Sequence, residues 1–113
     1  MQKSVIASVV VAVALFGVIH ASDLILGTIN SGDRVLHSQG YMAPGAVNQT
    51  VSRLIAYNGT ANITAIRAYD RSVNRTGIAT LQSGGLGQRN ATIFVAGYRH
   101  GIGYDYLVEI YGR

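Results

Sequence analysis

Two hydrophobic rhythms divide the chain. Residues 5–19 are apolar almost without a break, whereas from residue 24 onward apolar and polar residues alternate between short Gly- and Asn-rich interruptions. A period of two is the signature of half-buried strands. It predicts strands over residues 24–29, 34–38, 50–57, 63–70, 78–83, 92–98 and 104–111. Gly and Asn tolerate positive φ, so the segments between them read as turns and loops. Seven short strands of this spacing predict one all-β domain, an antiparallel β-sandwich or a closed small barrel. In the last strand Tyr104, Tyr106, Val108 and Ile110 share the face expected to be core, with Asp105, Leu107, Glu109 and Tyr111 opposite. The strand at 63–70 splits less cleanly: Ile63, Ala65, Arg67 and Tyr69 oppose Thr64, Ile66 and Ala68. The seven Tyr, with no Trp, read as aromatic residues packed in and beside a small β core.

The unbroken apolar run has a different meaning. Lys3 precedes it and Ile19-His20-Ala21 follows, which is the anatomy of a secretory signal peptide ending in a small-residue cleavage site. Its fifteen residues fall short of the roughly 20 a spanning helix needs, so no permanent membrane anchor is expected. The expected division is a signal peptide over 1–21 and a single all-β domain over 22–113. Without the leader the chain carries eight Arg against four Asp and one Glu, a net charge of +3. Those arginines never cluster, so no direct nucleic-acid binding is expected. The chain has no Cys, so disulfides cannot supplement its modest core. Sheet packing must do so, with a homo-oligomer as a further source.

Turn chemistry adds a second extracellular sign. Five of the six Asn after the leader begin Asn-x-Thr: Asn48, Asn58, Asn62, Asn74 and Asn90. Chance pairing with the seven Thr there would give about half of one such triplet. These are the candidate N-glycosylation sites, at strand ends and turns where an oligosaccharide reaches solvent. Asn58-Gly59 also reads as the centre of a hairpin leading into the strand at 63–70. Asn58 and Asn62 are only four residues apart, so glycans there are expected to crowd, with one site used more.

Catalytic and metal chemistry finds little footing. His37 and His100 lie in different segments with nothing at metal-ligand spacing, so no metal site is expected. Asp23, Asp33, Asp70, Asp105 and Glu109 form no close pair along the chain. Gly85-Leu86-Gly87-Gln88-Arg89-Asn90 begins like a glycine-rich phosphate loop, but it lacks the third Gly and a following helix and reads as a plain loop. No catalytic residue and no cofactor are expected, and the chain reads as a non-enzyme.

The C-terminal half is more specific. ITAIRAYD (residues 63–70), TLQSGGLGQRNATIFV (residues 80–95) and RHGIGYDYLVEIYGR (residues 99–113) resemble the insect family named for multiprotein bridging factor two. Its members are also described as salivary secreted peptides. The resemblance spans nearly the whole mature chain, from Leu26-Gly27 and Gly32-Asp33-Arg34 to the closing Tyr111-Gly112-Arg113. It implies protein partners in one of two settings. One is that of a transcriptional coactivator, joining a partner bridging factor and a nuclear-receptor-type regulator to general transcription factor A. The other is that of a saliva- or haemolymph-type secreted protein. The leader and the sequons favour the second, a secreted N-glycosylated interaction protein.

Overall fold

The computed structural model describes residues 22–73, 75–98 and 100–113. The expected signal peptide with its cleavage site, and the sequon residue Asn74, lie outside them. Seven strands form: β1 (Leu24–Gly27), β2 (Arg34–Ala43), β3 (Ser52–Asn58), β4 (Ile63–Asp70), β5 (Gly77–Gly84), β6 (Asn90–Gly97) and β7 (Tyr104–Gly112). No helix interrupts them among the described residues. They make two antiparallel sheets, β1-β4-β7-β2 and β3-β6-β5. The sheets do not join into one closed ring, which decides the expected alternatives for a sandwich and against a barrel.

The core lies between the sheets. Ile63, Ile66, Ile93, Val95, Tyr106, Val108 and Ile110 are the largest fully buried side chains, and all belong to β4, β6 and β7. Each such aliphatic chain contributes on the order of 1.5–3 kcal/mol by leaving water. β7 follows the alternation expected of it, with Tyr104, Tyr106, Val108 and Ile110 all buried. β4 departs from simple alternation because its pairing with β7 shifts between Ile63 and Ala65. A bulge there inverts the pleat, so Ile63 and Ile66 both join the core although they sit three positions apart.

One expected connection is overturned. Asn58-Gly59 is not a hairpin centre: β3 pairs with β6 and β4 pairs with β1 and β7, so residues 59–62 cross from one sheet to the other. Gly59 N–H donates to Arg89 O (2.9 Å) and Ile63 N–H to Gln88 O (2.8 Å), which ties the corner to the β5–β6 turn. An Asn-Gly pair marks a sharp reversal, and the reversal here changes sheets.

The connections gather at two ends of the sandwich. One end holds residues 28–33, 59–62 and 85–89 with Arg113; the other holds Ser22, Asp23 and residues 44–51, 71–73, 75–76, 98 and 100–103.

Candidate functional site

Three of the four described sequon asparagines sit at the first end. Asn58 closes β3, Asn62 lies in the crossing and Asn90 opens β6, and all three are exposed. Asn58 and Asn90 are register partners in the β3–β6 ladder, so their side chains share a face. The crowding expected between Asn58 and Asn62 therefore extends to Asn90. Asn48 is exposed at the other end, at φ 57° in a tight turn closed by Gln49 N–H donating to Ala46 O (3.1 Å). Asn tolerates this left-handed conformation better than most residues.

The sequon threonines are not equivalent. Thr64, of the Asn62 triplet, sits at the β4 bulge, where its hydroxyl meets Asp33 Oδ2 (2.8 Å) and Tyr111 O (3.3 Å). Asp33 Oδ2 also accepts from Asn30 N–H (2.8 Å), and Asp33 Oδ1 lies 3.2 Å from Arg113 Nε in an ion pair. The Asn30 amide, then the Thr64 hydroxyl, hold the Asp33 carboxyl below its ordinary range, with Arg113 adding to the effect. This carboxylate locks the β1–β2 loop, the bulge and Arg113 together.

The two described histidines are far from equivalent as well. His100 is exposed in the β6–β7 loop. His37 is half-buried on β2, with Nε2 2.8 Å from Tyr41 Oη and its ring 6.0 Å from that of Tyr57 on β3. Arg53 lies over the Tyr41 ring at 5.0 Å, a cation–π distance. Burial pushes the Tyr41 hydroxyl above its ordinary pKa, with Arg53 opposing. Sequence spacing gave no sign of this His37–Tyr41–Tyr57–Arg53 seam, because β2 and β3 meet through different sheets.

Each described carboxylate has a structural partner. Asp105 pairs with Arg71 (3.3 Å), Asp23 with Arg75 (2.8 Å), and Glu109 accepts from the Tyr111 hydroxyl (3.1 Å). Asp70, 3% exposed, accepts from Ser72 N–H, Ser72 Oγ and Gly77 N–H. Its own N–H donates to Asp23 Oδ1 (2.8 Å). Beside it the buried Tyr106 hydroxyl donates to Ser22 O; burial first, then Asp70 and Asp23, push that phenol far above its usual range. Among the described residues no three His, Asp or Glu side chains converge as a metal site. The glycine-rich segment is a turn in which three amides are spent on main-chain bonds: Gly85 N–H donates to Asn90 O, Gly87 to Ile63 O and Gln88 to Gly85 O. Those three amides are not free to cradle a phosphate.

At the second end an open hollow of about 390 Å³ lies between the β2–β3, β4–β5 and β6–β7 connections. Met42, Pro44, Val73, Ile102 and Tyr104 give it a mainly apolar lining, with Ser72 and Asp105 at its polar side.

The family model described as transcription activator MBF2 matches residues 26–112, which takes in all but the first two residues of the seven strands. No curated protein and no solved structure matches the chain. The match covers the sheets, the crossing and the Asp33–Thr64 lock together, and the chain belongs to the MBF2 transcription activator family.

Proposed function

We propose that this chain is a secreted, N-glycosylated, non-enzymatic protein-interaction domain of the insect saliva or haemolymph type. The observation that carries the reading is the joint presence of a leader-like apolar run and five Asn-x-Thr triplets. The exposure of Asn48, Asn58, Asn62 and Asn90 supports it. The non-enzymatic part draws support from the carboxylates, each engaged in holding a strand or loop. No cofactor is invoked, and the partner is another protein.

The family match favours a second reading, a transcription activator, which the sequence resemblance extends to a coactivator joining a partner bridging factor and a nuclear-receptor-type regulator to general transcription factor A. The two readings place the protein on opposite sides of a membrane, so one measurement separates them. Cells and medium are immunoblotted with and without peptide N-glycosidase, and the N-terminus of the product is sequenced. Secretion requires a band in the medium that starts near Ser22 and gains mobility on digestion. A nuclear band beginning at Met1 and indifferent to the glycosidase overturns it and leaves the coactivator.

A further inference from the structure

The four sheet edges are not equally guarded. An edge strand exposes unpaired N–H and C=O groups, and proteins commonly blunt it by shortness, charge or bulges. β1 is four residues long and ends at Gly27 with φ 71°. β5 is broken by a register shift between Leu81 and Ser83. β3 carries Arg53 within its seven residues. β2 has none of these devices along most of its length. It runs for ten residues, its one register shift falls between Val35 and His37, and its only charge, Arg34, stands at the start. From His37 to Ala43 it is regular, uncharged and free of Pro, and Ser38, Gln39 and Gly40 are exposed. Among the described residues no strand flanks its outer edge.

We infer that β2 is a dimerisation edge and that its partner is β2 of a second copy, antiparallel about a two-fold axis through Gln39. This segment can face itself without conflict. With Gln39 opposite Gln39, Ser38 meets Gly40, and His37 meets Tyr41 of the second copy; directly opposed residues share a face. His37 and Tyr41 already satisfy each other within one chain at 2.8 Å, so they bring no unpaired charge to the pairing. The two Arg34 side chains stand at opposite ends of the pairing; nearer the axis lie Arg71, whose guanidinium reaches over Gly40 and is paired with Asp105 at 3.3 Å, and Arg53 over the Tyr41 ring. The product is a continuous eight-stranded sheet, β1-β4-β7-β2 joined to its symmetry copy. It supplies the extra cohesion that a small cysteine-free core invites.

The inference does not depend on where the protein works, because it is read on the purified, naturally processed chain. Sedimentation equilibrium over a concentration series should give a monomer–dimer equilibrium. Gln39→Lys and Gln39→Glu each put like charges directly across the axis, which should weaken dimerisation by up to roughly fivefold. An equimolar mixture of the two should dimerise again, since opposite charges then meet. A wild-type chain that stays monomeric at every concentration overturns the inference, as does a Gln39→Lys chain that dimerises like wild type. Should either variant fail to fold, hydrogen exchange on the wild type decides. Protection must rise with concentration at those amides of residues 38–40 that point away from β7, since alternate N–H groups of an edge strand already bond inward, and equal exchange at high and low concentration overturns the inference. None of these outcomes bears on secretion, which the glycosidase blot tests alone.

Discussion

The two ends of the sandwich are closed by different means. At the Arg113 end most of the closure is main chain: Asn62 and Arg113 exchange both N–H···O bonds, and Gly59, Ile63, Gly85 and Gly87 donate to carbonyls of neighbouring segments. At the Ser22 end side chains carry more of the load, with Asp70 holding the β4–β5 loop, Asp23 bridging Asp70 N–H and Arg75, and Tyr106 reaching Ser22 O. Main-chain bonds survive most substitutions, because every residue but proline brings the same groups. Side-chain bonds vanish with one residue. The first end should therefore tolerate mutation at its tips, and the second should fail at a few positions.

The most severe test is Asp70→Ala, which strands the Ser72 and Gly77 donors, the latter in a buried bond. A loss of about 3 kcal/mol is expected, since each buried unsatisfied group costs roughly 1–3 kcal/mol. For a domain of this size each kcal/mol is roughly 4–8 °C, so thermal unfolding should fall by more than 10 °C, that is, by roughly 12 °C or more. An unchanged melting temperature would erase the contrast between the ends. Tyr106→Phe keeps the buried ring and removes only the hydroxyl on Ser22 O; it should cost roughly 1–2 kcal/mol and speed amide exchange in β1. At the other end Thr64→Val and Asn62→Gln destroy the same sequon, but only the first removes the Asp33 bond. Thr64→Val should lose about 1 kcal/mol, while Asn62→Gln, at an exposed position, should be close to neutral in denaturant titrations.

The gentlest test is pH. Asp33 has its carboxyl pKa depressed below 3.8 in the folded chain, so its contribution is complete above that unfolded value. The contribution disappears as pH falls through the lower, folded value. Asp33→Asn should therefore flatten the acid limb of the stability profile below about pH 4 and leave its slope near neutrality unchanged. If the acid limbs coincide, Asp33 is not part of the lock.

Much of this architecture could be read from local pattern, and the failures have identifiable causes. β7 alternates without interruption because it is central and regular, so its buried face was legible residue by residue. β4 was not, because the bulge at Thr64 shifts the phase inside an otherwise alternating segment. β2 runs on to Ala43, beyond the expected end at Ser38, because β7 pairs with it through Gly40 as far as Ala43. The sequons could be found from three-residue windows alone. The pairing of Asn58 with Asn90 could not, since it depends on which strands become neighbours. The same holds for the hollow at the Ser22 end, assembled from three connections, and for the Arg53–Tyr41 contact.

The strand written last is the keystone. β7 lies between β2 and β4 and pairs with both, yet it occupies Tyr104–Gly112. The six strands before it must therefore be made before the larger sheet can zip shut, and until β7 follows, β2 has no companion there and β4 has β1 alone. Removing residues 104–113 would take out a central strand: it would leave β2 an orphan ribbon and β4 with one open edge, each searching for any strand that fits.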